Sequence, residues 1–419
     1  MKKKILLLLL LTPNIQPTES EGPKQKIVKL SGYINGKGFY DTRQVVGATE
    51  DQTVFFPKKR DCSPTGDINS PGSTQILPFE TRLRITMIEP PKENYYHYKG
   101  VVEVEFKGVR QFVNIFNMRH AFGQLACDNY TFTFGQTWHP LSVDELLPNT
   151  VSFNLGRPFA VYNRSPQLRY TYHTQSTDFI MYAGSQVDFV SDGPIGLSST
   201  YIRNALIPNL HFQIKHFFDD HVIGTGIDYQ RISPRIVSNK GYKVHEMLSS
   251  LTGTWYLGLN WPKVIIKNTL LFGGNVSNYG LIGGYAVEKD TTNLITGKQK
   301  YTNTRTLTAW SDFTFLPFHY VEPGFFIGIG KNFGSAHQIE RDRVDEFGLP
   351  IRTIYGLGND IDTVFRISPR VRVNINNITF AGEIEYTRAA YGNLTSHGHA
   401  TNLSPVANTQ FLFSTFLFF

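Results

Sequence analysis

Arginine is the residue type in this chain best placed to do chemistry. Arg82 and Arg84 stand two residues apart, as do Arg370 and Arg372. Arg119, Arg157, Arg164 and Arg169 lie between the two pairs. A guanidinium stays charged at any working pH and forks onto carboxylate or phosphate. Two-residue spacing puts both members of a pair on one face of a β-strand, where they would draw anions along a polar surface. Acids at the same spacing carry a competing reading. Glu103 with Glu105, and Glu383 with Glu385, would stand beside these pairs on neighbouring strands and form wall ion pairs with no net field. Both readings stay open for Arg82, Arg84, Arg370 and Arg372. Arg119 and Arg169 face no obvious acid on strands four to six. With Arg157 and Arg164 they are the better candidates for a selective constriction.

Other chemistry finds little support. There is no G-x-S-x-G, and His245-Glu246 lacks the second histidine of H-E-x-x-H. His397 and His399 alone make an incomplete metal site. His139, in Trp138-His139-Pro140, reads as the structural start of a loop rather than as a ligand. No cofactor motif is present. No basic run is longer than three residues, which argues against nucleic acid as a partner.

The elements that must position the arginines are strands. In Val102–Lys107, Val102, Val104 and Phe106 alternate with Glu103, Glu105 and Lys107. The same period of two runs through Arg82–Met87, Gln167–His173, Asn209–Lys215 and Arg366–Ile375. By phase, Lys215 and Arg366 share the polar face with the arginines. Of the 419 residues, 18% are charged and 14% aromatic, against about 25% charged in a soluble domain. The longest pure Ile/Leu run, Ile5–Leu11, falls short of the roughly 20 residues of a membrane helix.

Residues 1–20 place three lysines before that run and break at Pro13, the pattern of a secretory signal peptide. Its removal lowers the formal charge from +7 to +5 and leaves 21–419 as one β domain. The chain closes TQFLFSTFLFF, with Phe411, Phe413, Leu417 and the terminal Phe419 on one face. Such an ending resembles the signal by which Gram-negative outer-membrane barrels reach their insertion machinery.

Export, alternating strands and unequal connections together predict an all-β fold: a transmembrane antiparallel β-barrel of about sixteen strands. Strand two is expected near 79–88, three near 100–107, four near 113–125, five near 130–137, six near 166–174 and eight near 209–217. Fourteen, fifteen and sixteen are expected near 361–375, 378–389 and 409–419. With both termini periplasmic, 139–165 is the third outer loop and contains Arg157 and Arg164. Arg203 lies in the next one. Cys62 falls in the first outer loop and Cys127 at a periplasmic turn, on opposite sides of an apolar band about 25 Å tall. That is too far for a disulfide.

Several strings then resemble one family: YDTRQVVGA at 40–48, NMRHAFGQL at 117–125, FGQTWHPL at 134–141, VSFNLGRPFAVYNRSPQLR at 151–169, YIRNALIPNLH at 201–211, FRISPRV at 365–371 and EIEYTRAAYG at 383–392. Together they are similar to the DcaP-like trimeric porins, relatives of the phosphate-selective porins, over nearly all of 21–419. The resemblance implies a sixteen-stranded barrel in the outer membrane, a homotrimer, an inward-folded third loop and a channel preferring small anionic solutes. The expected function is passive diffusion. The alternatives are a plugged structural or adhesive barrel and, with no Ser/His/acid set visible, an outer-membrane hydrolase.

Overall fold

The structure, a computed structural model, describes residues 26–78, 80–89, 96–106, 116–316, 319–344 and 347–419. The expected signal peptide lies outside these residues, as do Lys107 and the start of the expected fourth strand. Sixteen long strands form a closed antiparallel barrel. In chain order they are β1 (Ile27–Asp41), β2 (Ser73–Leu77 with Arg82–Ile88), β3 (His97–Glu105), β4 (Asn117–Cys127), β5 (Tyr130–Trp138), β6 (Arg164–His173), β7 (Thr177–Gly184) and β8 (Asn209–Phe218). The second half comprises β9 (His221–Ile232), β10 (Leu248–Trp261), β11 (Val264–Gly274), β12 (Tyr301–Phe315), β13 (Val321–Ser335), β14 (Ile361–Ile375), β15 (Ile378–Leu394) and β16 (Ala400–Phe418). β2 has two pieces because Pro78 has no N–H for the ladder, yet both pieces pair with β1.

Closure comes from β1 against β16, in register from Tyr33↔Phe418 to Asp41↔Gln410. Phe419 adds the last rung: its N–H and C=O bond the C=O and N–H of Gly32 at 3.1 and 3.0 Å. A Cβ at Gly32 would meet the Phe419 ring at 2.9 Å, so the terminal aromatic fits over a residue without a side chain. Among the described residues, closure gives each barrel strand a neighbour on both sides, which a lipid solvent requires.

The connections alternate as the sequence suggested. Two-residue turns at Asp128-Asn129, Asp219-Asp220 and Asn376-Asn377 put Asp128, Asp219 and Asn376 at positive φ, where Asn and Asp are tolerated. The opposite end carries long loops, with a short helix at Thr200–Asn204 and small strands at Gly283–Val287 and Ile354–Leu357. Apolar side chains such as Leu251, Trp255, Ile384 and Phe413 face outward and exposed, while Thr252, Glu385 and Gln410 face inward and buried. This is inverted relative to a soluble barrel. The apolar core sits in the interior, where Phe56 of the first loop and Val143, Leu146 and Phe159 of the third pack on Trp310, Phe326 and Tyr391 of the wall. Cys62 and Cys127 are free thiols. Cys62 lies in an outer loop, and Cys127 is the last residue of β4, beside the turn to β5.

Candidate functional site

The site is built around the third outer loop, residues 139–163, which folds into the barrel. Val151, Phe153, Phe159, Ala160 and Tyr162 are all buried. Its outgoing half is tied down by cations from every third strand. Lys215 of β8 holds Glu145 at 2.8 Å. Lys267 of β11 donates to the Leu147 carbonyl at 2.8 Å. Arg372 of β14 donates to the carbonyls of Asn149 and Thr150 at 2.8 and 3.0 Å. At the tip the polarity reverses. The Glu383 carboxylate accepts the N–H groups of Val151 and Ser152, and Glu385 accepts from Asn154 at 2.6 Å. Alternation on β15 points both acids inward, so the loop's donors meet acceptors rather than water.

The returning half is fastened by Arg366 of β14, which is fully buried. It pairs with Glu385 at 2.9 Å and donates to Thr387 at 2.8 Å and to the Arg157 carbonyl at 2.6 Å. It also reaches the carbonyls of Val54 and Phe55 at 3.1 Å. One side chain thus joins the wall, the first loop and the third loop.

The eight arginines singled out above divide by burial. Arg119, Arg157, Arg164 and Arg370 are buried; Arg82, Arg84, Arg169 and Arg372 are half-buried and face the interior. Arg119 does have carboxylates, contrary to the expectation: Glu103 and Glu105, both at 2.7 Å, from the adjoining β3. The acids lie on β3, one strand before the strands four to six on which none was expected. Arg84 and Arg82 share these acids at 3.2 and 3.6 Å, so the wall-pair reading describes part of that cluster.

Arg370 is in register with Glu383 but pairs instead with Asp312 of β12, two bonds at 2.9 Å. It crosses β13 over Gly324, where a Cβ would lie 2.8 Å from its guanidinium. Arg164 is not in the loop but opens β6. It bonds Asp188 at 3.0 Å and the Tyr162 hydroxyl at 2.7 Å. Arg157 stacks on the Tyr162 ring at 4.1 Å and bonds Asn154 and Thr53; no carboxylate pairs with it among the described residues. Arg169 donates to Gln167 at 2.9 Å and to the Trp138 carbonyl. Lys267 carries no period-two signal, because Val264–Ile266 before it is uniformly apolar and Asn268 and Thr269 after it are both polar.

His139, His211 and Asp228 bring three potential ligand atoms within 4.8 Å of one another, all buried. The hydrogen bonds argue against a metal. The Leu141 N–H donates to His139 Nδ1 at 3.1 Å, so Nε2 carries the proton and donates to Asn209 Oδ1 at 2.7 Å. A metal at Nε2 needs the other tautomer, with its second nitrogen as donor, and that would set N–H against N–H. The cluster braces the root of the third loop to β8 and β9.

No family model and no curated protein matches the chain. Solved structures do. The outer membrane channel DcaP of Acinetobacter baumannii aligns with a TM-score of 0.68 at 13% identity, over 96% of this chain and 99% of that one. An anion-selective porin from Comamonas acidovorans gives 0.56 at 9% identity, over 94% and 100%. OmpT, an outer membrane protein of Vibrio cholerae, gives 0.52 at 12% in its trimer form, over 94% and 99%. Together with the closed sixteen-stranded barrel, these give the chain the fold of the outer-membrane porins, shared with DcaP across nearly its whole length.

Proposed function

We propose that the chain is a DcaP-like porin of a Gram-negative outer membrane, a passive homotrimeric channel for small hydrophilic anions. One observation carries the anion preference. The buried carboxylates Glu103, Glu105, Asp312, Glu383 and Glu385 each hold an arginine or loop N–H groups. Arg169, Arg372 and Lys267, by contrast, face the interior with neutral carbonyl and amide partners. These five acids are spent on structure, while three cations are left without an ion pair, set against the one carboxylate of Asp41, which is bonded only to Asn408 and Gln410. In a narrowed, low-dielectric passage that excess raises the local anion concentration. The similarity in fold to an anion-selective porin and to the trimer form of OmpT supports the same reading.

The test is the reversal potential of the purified protein in a planar bilayer under a salt gradient. Stepwise openings with an anion-favouring potential are expected. Openings with cation preference would refute the anion preference and leave the porin standing. A second reading, a plugged structural or adhesive barrel, draws on the packing of the first and third loops together inside the wall. It predicts no openings at all.

A further inference from the structure

A recess opens at the outer ends of β14 and β15. The first loop supplies Phe56, Lys58 and Asn69 to it, and the seventh, 336–360, supplies Leu357 and Asn359. It holds about 480 Å³, within the range of about 300–1,000 Å³ for small-molecule sites. Its floor is closed. The Phe56 and Tyr391 rings meet edge to face at 6.4 Å, and the Tyr391 hydroxyl donates to the Pro57 carbonyl at 2.7 Å. Both rings belong to the core that the loops form inside the wall. A molecule seated in the recess therefore stands on that core and outside the passage.

The recess combines apolar surface with unspent polar groups. Val46 and Leu357 are half-buried, packed on the core below. The half-buried Lys58 ammonium has no ion-pair or hydrogen-bond partner among the described residues. The buried Asn359 Oδ1 accepts no hydrogen bond. Asp360, the one acid lining the recess among the described residues, is already paired with Lys59 at 3.1 Å. Inorganic phosphate would leave the apolar surface wet, and a neutral apolar molecule would leave Lys58 unanswered. A carboxylate with an apolar body answers both.

We propose that this recess is an effector site for a small amphiphilic monocarboxylate, whose binding holds the first loop inside the barrel. The carboxylate takes Lys58, the apolar body covers Val46 and Leu357, and a hydroxyl donates to Asn359. The two walls come from different loops, so the site exists only while the first loop is docked. A ligand of the docked form alone raises the ratio of docked to released loop by about 100-fold at 100 times its Kd. The docked loop leaves room for such control. Thr49, Glu50 and Asp51 stand in succession at φ of 58°, 52° and 58°, a left-handed run that L-residues adopt at a cost. Gln52 is fully buried with neither side-chain amide atom bonded. Thr53 accepts from Arg157 of the third loop at 3.3 Å, so a held first loop steadies the third. The inference rests on the porin reading in taking these loops as the border of an open passage.

Isothermal titration of the detergent-solubilised full protein with phenyllactate tests the site. Single-channel recording with the same acid on both sides of the bilayer tests its effect. The controls are phenyllactate methyl ester, which lacks the charge, and lactate, which lacks the apolar body. Phenyllactate should bind wild type and bind K58Q about tenfold more weakly, the loss of one charged hydrogen bond. It should lower and quieten the wild-type current at a concentration that leaves the K58Q current unchanged. Equal binding of the ester or of lactate, or undiminished binding to K58Q, overturns the proposal. Block of the current that persists in K58Q and vanishes in R169Q also overturns it and places the acid in the lumen. Binding that depends on Lys58 without any change in current overturns the effector role. Normal channels with no binding sink this inference alone. Silent wild-type bilayers sink the porin reading and the control of a passage with it, while titration of K58Q still decides the site.

Discussion

Arg366→Met is the sharpest perturbation the structure offers. The substitution removes the 2.9 Å pair with Glu385 and the donors to the Arg157, Val54 and Phe55 carbonyls. Breaking a buried pair from one side costs about 3–5 kcal/mol because the remaining charge is stranded. At 1.4 kcal/mol per decade, that shifts the equilibrium between docked and released loops by about two to three and a half orders of magnitude. The barrel itself should survive, since the ladders of β14 with β13 and β15 are backbone bonds. The expected result in single-channel recording is a larger, noisier conductance, with new protease cleavage in 139–163. R366M/E385M should recover quiet openings in part, since an apolar pair strands no charge. Wild-type current and a protected loop in R366M would refute the assignment of Arg366 as the pin.

Arg119 and Arg169 should separate by readout. R119M should cost about 1–3 kcal/mol, because Glu103 and Glu105 lose their buried partner and keep only Arg84 and Arg82, seen as a lower unfolding temperature of the barrel, while R169Q should leave that temperature nearly unchanged and move the reversal potential toward cations. Gly324→Ala should displace the Arg370 guanidinium from Asp312, whose side chain is 1% exposed, and cost about 1–3 kcal/mol in the same unfolding assay. The first loop should respond to acid. The Arg43 hydrogen bond, with backbone N–H donors, holds the Asp67 carboxyl at about 2, below its usual value of about 3.9. Because the folded value is depressed, its contribution is complete above about pH 4 and is lost as pH falls through about 2. Limited pepsin digestion should spare residues 58–72 at pH 4 and cut them near pH 2; equal cleavage at both values would exclude that tie.

The strands were legible from local chemistry. Val102–Lys107 and Arg366–Ile375 alternate because each residue faces lipid or lumen, and the closing aromatics of Phe411–Phe419 share one face for the same reason. The turns at Asp128 and Asn376 are marked by residues that accept positive φ. That much is fixed between neighbours two apart, and the sequence by itself determined it. Which inward charges pair was decided only by closure. Arg370 finds Asp312 across a glycine of the intervening strand, and Arg119 takes both acids of β3. Arg366 meets loop residues about 200 and 300 positions away. A linear pattern records which face a side chain takes, and the distance between side chains on one face is set by strand order, register and the fold of a loop through the interior. The arginines were therefore readable as inward cations, and their division into structural pins and surplus charge belongs to the tertiary structure.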